Sequence, residues 1–169
     1  ASDPAAFLDA VPLDTRDLRL QYPDAEAIIL TVGRLVKEKN IPSLLRAWRG
    51  IAGRHRATRL VIVGSGPEER NLARLVKRDD LSDQVSFVPW TSDVAAYMRS
   101  ADICALSSYR EGWGRVIVEA MAAGLPQVVT DVGCVGEVFI HERHGIVVPV
   151  DDEEALEQAL ERLIADTEL

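Results

Sequence analysis

Six short runs of strand-forming residues recur along the chain, each followed by a stretch with helical spacing, and this alternation decides what the chain can fold into. The runs are "AIILTV" (27–32), "TRLVIVG" (58–64), "VSFVPW" (85–90), "ICALSS" (103–108), "QVVTDV" (127–132) and "GIVVPV" (145–150). Several are continuously apolar, as strands covered on both faces must be. Helices are expected between them. "IPSLLRAWRGIA" (41–52) places Leu44, Leu45 and Trp48 on one face, and "EERNLARLVKR" (68–78) gathers Leu72, Leu75 and Val76. "DVAAYMRSA" and "RVIVEAMAAG" are the third and fourth, and the last, 152–167, spaces Leu156, Ala159, Leu160, Leu163 and Ile164 at helical intervals.

Regular strand–helix alternation predicts an α/β fold with a mostly parallel six-stranded sheet between two helical layers, a Rossmann-like three-layer arrangement. Such sheets bind ligands beyond the carboxyl ends of their strands, where the strand order reverses. Residues 1–25 carry scattered Pro and Asp with no sustained period and read as an interdomain linker. Residues 26–169 form the domain.

The length of 169 residues suits one domain with a real core. A net charge of −8 argues against a nucleic-acid partner, whose phosphates need a basic face, and gives no reason to sit on an anionic membrane. It does not oppose a phosphate ligand held by a few local donors. Cys104 and Cys134 match no metal or redox spacing and are expected as free thiols, Cys104 in the core. No apolar run is long enough to span a bilayer, and the N-terminal residues do not resemble a signal peptide, so a cytoplasmic protein is expected.

The loops after the strands hold the candidate chemistry. After the first strand, "GRLVKEKN" supplies Gly33 for a sharp turn and two cations, Arg34 and Lys39, which either grip a diphosphate or are solvated loop charges. After the second, Gly64 and Gly66 allow close backbone approach to a ligand or simply make a tight turn. The dinucleotide pattern G-x-G-x-x-G fails there, because Arg70 stands at the third glycine and the motif follows the second strand. After the fourth, Gly112 and Gly114 leave amides open where a helix begins, a natural anion site. That site faces Arg34 and Lys39 only if the first and fourth strands are neighbours. Glu111 precedes this helix and Glu119 lies inside it. Val116, Val118, Ala120 and Ala123 are expected toward the core. Glu119 either accepts from a sugar diol or pairs with Arg115 four residues earlier.

Together these residues resemble the C-terminal, donor-binding domain of the retaining GT-B glycosyltransferases of family 4, the group 1 family. "GRLVKEKN" is similar to that family's G-R-L-x-x-x-K-G loop, with Asn40 where glycine is usual, and "LVIVGSGP" is similar to its second-strand turn. "EGWGRVIVEAMAAGLPQVVTD" resembles the E-x7-E signature, and "VPLDTRDLR" the segment linking the two halves. The resemblance covers about residues 27–167. It implies that Arg34 and Lys39 neutralise the donor diphosphate, Glu111 contacts the transferred sugar and Glu119 holds the ribose. It implies that amides around Trp113, Gly114 and Arg115 meet the phosphates, and that the base lies near Val88 to Trp90, mainly against backbone.

It also implies a UDP-, GDP- or ADP-sugar donor, no metal and no other cofactor. An acceptor glycan, lipid or small molecule would sit on an N-terminal domain missing here. The full enzyme would be cytoplasmic, with a possible place at the inner membrane face. This donor half is expected to bind nucleotide and transfer little alone. Gly133, Cys134, Val135, Gly136 and Glu137 depart from the family's G-G-x-P-E, which leaves that loop's role open. His144, His55 and His141 read as turn or surface positions. The alternatives are half of a starch/glycogen synthase-like or phosphorylase-like enzyme, a nicotinamide dehydrogenase domain, and a non-catalytic relic.

Overall fold

The computed structural model describes residues 17–166. Its strands are β1 (Ile28–Val32), β2 (Arg59–Val63), β3 (Val85–Val88), β4 (Ile103–Leu106), β5 (Gln127–Thr130) and β6 (Gly145–Val148). The helices are α1 (Leu18–Gln21), α2 (Ile41–Arg54), α3 (Glu69–Arg78), α4 (Val94–Ser100), α5 (Arg115–Ala122) and α6 (Glu153–Ala165). All strand pairs are parallel, and the sheet order is β3-β2-β1-β4-β5-β6. The expected three-layer α/β fold is therefore the observed one. Its order reverses between β1 and β4.

The period of two along each strand divides the core in half. Ile29, Leu60, Ile62, Ala105, Val128 and Ile146 point to one face, where they meet Leu44, Trp48 and Ile51 of α2, Leu72 and Val76 of α3, and Leu160 and Leu163 of α6. Ile28, Leu30, Val61, Val63, Cys104 and Val129 point to the other, against Tyr97 and Met98 of α4 and Ile117 and Ala120 of α5. Each fully buried aliphatic side chain contributes about 1.5–3 kcal/mol of transfer free energy, so the two apolar layers hold the sheet between its helices.

Every strand but β1 and β2 stops two residues before its run of strand-forming sequence does. Ser107 and Ser108 show why. Both are buried, at 3% and 1% exposure, but their side chains bond to neighbouring loops rather than extending the ladder. The α5 face also differs from expectation. Ile117 and Ala120 are its buried residues, whereas Val116, Val118 and Ala123 are only partly covered.

The segment expected as linker is ordered onto the domain from Asp17 onward. Asp17 caps α1, buried Leu18 donates its amide to Ser100 Oγ at 3.0 Å, Tyr22 Oη donates to Ser86 Oγ at 2.7 Å, and Arg19 pairs with Asp102. A four-residue helix is too short to show a period, so sequence spacing could not reveal it. The part of the linker expectation before Asp17 lies outside the described residues.

Candidate functional site

The reversal of strand order sets β1 beside β4, with Ile29 opposite Ile103 and Leu30 opposite Cys104. The loops at their carboxyl ends are therefore in contact. Tyr109 N donates to Glu38 O at 2.8 Å, and Ser107 Oγ lies 3.1 Å from Lys39 O and 2.9 Å from Asn40 O. Residues Lys37–Lys39 form a single 3-10 turn that ends on Asn40 in the left-handed region, at φ 45° and ψ 39°. Asparagine is among the few side chains that tolerate this conformation, which explains how it replaces the usual glycine.

Lys39 and Glu111, 72 residues apart in sequence, meet here. Lys39 Nζ lies 2.6 Å from Glu111 Oε1, and the two side chains are only 20% and 14% exposed. The same Oε1 accepts from Ser108 Oγ at 2.6 Å. Gly33 lies beneath Lys39, and a Cβ there would stand 3.2 Å from Lys39 Cε. Arg34 is exposed, and its guanidinium has no hydrogen bond or ion pair among the described residues.

Past Glu111 the chain turns through exposed Gly112 and half-exposed Trp113 into α5. Gly114 caps the helix at φ 80° and ψ 52°, a left-handed conformation that favours glycine, and a Cβ on it would come within 2.9 Å of Ile117 Cδ1. The amides of Trp113, Gly114 and Arg115 donate to no acceptor among the described residues. They sit at the positive end of the helix. One turn on, Glu119 is 19% exposed and pairs with the 83% exposed Arg115 at 3.2 Å. Arg115, one of the two partners expected for Glu119, is in contact with it. An exposed pair at this spacing is worth only about 0.3–0.5 kcal/mol, which a better partner can displace.

The remaining candidates are further along the rim. A Cβ at Gly64 would sit 1.9 Å from Gly33 O, so the absence of a side chain there allows contact between the β1 and β2 loops. A Cβ at Gly66 would likewise fall 2.4 Å from Leu35 O. Trp90 is 72% exposed beyond β3, with its amide on Ser65 Oγ at 3.0 Å, and Val88 is partly buried.

Sequence reasoning missed Ser107, Ser108 and Thr130. Thr130 Oγ1 donates to Ser108 O at 2.7 Å and ties the β4 loop to β5. Two serines ending an apolar strand were the available signal. The Gly133–Glu137 loop, whose role was open, packs beside the site. Cys134 N donates to Trp113 O at 3.1 Å, and a Cβ at Gly133 would lie 3.1 Å from Glu111 Cβ.

Neither cysteine offers a reactive thiolate. Burial pushes Cys104 up to about 12 and raises Cys134 as well. His141 Nδ1 accepts from Val147 N and His144 Nδ1 from Ile140 N, and His55 lies 3.4 Å from Glu161, so the histidines serve turns and the surface. No group of residues suited to holding a metal ion occurs among the described residues.

The sequence profile of the family described as glycosyl transferases group 1 matches residues 17–169. The chain belongs to this family. It is 39% identical over 142 residues to an uncharacterised glycosyltransferase of Haemophilus influenzae, covering 83% of this chain and 40% of that one. It is 31% identical over 158 residues to the N-acetyl-alpha-D-glucosaminyl L-malate synthase of Bacillus anthracis, covering 92% and 41%. Among solved structures it superposes on HepE of Anabaena in complex with UDP at a TM-score of 0.83, with 26% identity, covering 97% of this chain and 46% of HepE. HepE has also been solved with UDP-glucose. The fold is that of a GT-B glycosyltransferase domain, and the chain spans about two-fifths of the length of the curated relatives it matches. Family membership replaces the dehydrogenase alternative. Among the described residues no helix is long and apolar enough to cross a membrane.

Proposed function

We propose that this chain is the donor-binding part of a retaining, metal-independent glycosyltransferase that uses a nucleotide diphosphate sugar. The observation that carries the reading is the adjacency of β1 and β4, which joins Lys39, Glu111 and the open amides of α5 in one site. HepE, of similar fold, is known with UDP and with UDP-glucose, which supports a nucleotide-sugar ligand here.

In this reading the diphosphate lies over the start of α5 and accepts from the amides of Trp113 to Arg115. Arg34 and Lys39 bring two positive charges to it. Lys39 has three N–H donors and uses one on Glu111, so the carboxylate and the phosphate compete for one ammonium. As the bond from anomeric carbon to phosphate oxygen breaks, negative charge grows on the leaving diphosphate, and fixed cations and amides stabilise that charge more than the ground state. Glu111 accepts from hydroxyls of the transferred sugar. Glu119 exchanges the Arg115 contact for the ribose diol. The base rests near Val88 to Trp90.

Residues 26–169 are the donor domain in this account, and the acceptor, a glycan, lipid or small molecule, is bound by a separate N-terminal domain. The enzyme works in the cytoplasm in glycan, polysaccharide or glycolipid synthesis. The domain alone binds donor and transfers little. A thermal-shift panel of UDP, GDP, ADP and NAD tests the reading. A ligand confined to the folded state adds about 2.7 kcal/mol of stability at 100 times its dissociation constant. Stabilisation by one nucleoside diphosphate and none by NAD is the expected result. Stabilisation by NAD alone refutes it.

A further inference from the structure

The Glu111 carboxylate is held from the sheet side as well as by Lys39. Its Oε1 takes both available donors, Lys39 Nζ and Ser108 Oγ, each at 2.6 Å, while Oε2 has no partner among the described residues. The two donors differ in kind. Lys39 carries a mobile ammonium on a long stem, and an arriving phosphate competes for it. Ser108 is neutral, short and 1% exposed, and its own carbonyl is fixed by Thr130 Oγ1 from β5. Gly133 closes the near side of the Glu111 side chain. The chain of contacts runs from the rigid sheet through Thr130 and Ser108 to the carboxylate.

We propose that Ser108 is a positioning residue that fixes the Glu111 carboxylate through Oε1, so that Oε2 remains aimed for the donor sugar while Lys39 is drawn to the diphosphate. This rests on the assignment of Glu111 to the sugar made above. A hydroxyl that merely closed the turn from Ser108 to Glu111 would affect folding and every ligand alike. A positioning hydroxyl affects only what the sugar adds to binding.

Titration calorimetry on the 169-residue chain separates the two. UDP is compared with UDP-glucose, GDP with GDP-mannose and ADP with ADP-glucose, and the binding pair is carried forward. In the wild type the nucleotide sugar is expected to bind more tightly than its diphosphate. Ser108→Ala should leave diphosphate affinity within about twofold and weaken the nucleotide sugar by roughly tenfold, the loss of one hydrogen bond to a charged group. Added to Glu111→Ala, which removes the acceptor of the Ser108 hydroxyl, Ser108→Ala should cost nothing further. If Ser108→Ala does not fold, Ser108→Cys keeps nearly the same size with a weak donor and should show the same selective loss.

Equal losses for diphosphate and nucleotide sugar, an undiminished loss in the Glu111→Ala background, or no loss at all overturn the positioning role while leaving the donor site intact. Failure of the wild type to bind any of the six compounds overturns the site assignment and this proposal together.

Discussion

Two concave regions lie at opposite edges of the same sheet, and the one with more room is the less suited to chemistry. At the amino ends of β5 and β6, a cavity of about 450 Å³ is lined by Met121, Gly124 to Pro126, Glu142 to Ile146, Arg162 and Leu163. At the carboxyl ends of β1 and β4, the enclosed space between Gly33, Lys39, Ser107 and Ser108 is only about 10 Å³. Yet two charged groups of the larger cavity satisfy each other, and a ring nitrogen beside them is taken by backbone. Arg162 forks onto both oxygens of Glu142 at 2.7 and 2.8 Å, and His144 Nδ1 is occupied by Ile140 N. Outside that space, on the loops that follow β1 and β4, are groups with capacity left over: the α5 amides, the Arg34 guanidinium, Oε2 of Glu111 and an easily displaced Arg115–Glu119 pair. What marks a site here is unused hydrogen-bonding capacity that converges, not volume.

The contrast is broken most severely at Gly64. Replacing it with alanine drives a Cβ into Gly33 O at φ +151° and should cost about 3 kcal/mol or more, read as a fall of roughly 10 °C in Tm. Lys39→Met comes next. It strips the cation from a mostly buried carboxylate and from the diphosphate, and should weaken nucleotide-sugar binding by about 10- to 100-fold while also lowering Tm. Glu119→Ala should weaken diphosphate binding by roughly tenfold, with little change in Tm because its partner Arg115 is exposed.

Glu142→Gln, at the other edge, should leave nucleotide affinity unchanged. Its effect is a pH dependence. The Arg162 guanidinium holds the Glu142 carboxyl below its usual 4.5. The wild type's small advantage in Tm is therefore present at neutral pH and disappears as pH falls through that lowered value. Last, both thiols should resist a maleimide in the native protein and react on unfolding, since both are buried.

The layers were legible in the sequence because they depend on local period. Strand runs and helix stripes lie within two or three residues of the observed elements, and the neighbourhood of the first and fourth strands followed from the doubly wound pattern. The site was legible only as separate pieces. Arg34, Lys39, Glu111 and Glu119 stand where the loop assignments put them. The Lys39–Glu111 contact was not readable, because it joins residues 72 positions apart through strand adjacency. The packing constraint on Gly64 was not readable for the same reason: it comes from the neighbouring loop, which spacing does not reveal. Ser108 and Thr130 escaped notice because a hydroxyl at a strand end has no pattern until its partner is known.

The most direct test of the central claim is amide chemical-shift mapping by NMR as the tightest-binding nucleoside diphosphate is titrated into the chain. The account predicts that shifts concentrate at Gly33 to Asn40, Val88, Trp90 and Ser107 to Glu119, with Gly124, Leu125 and Glu142 to Ile146 unmoved. Shifts centred on that second group of residues, with the loops of β1 and β4 silent, would contradict it.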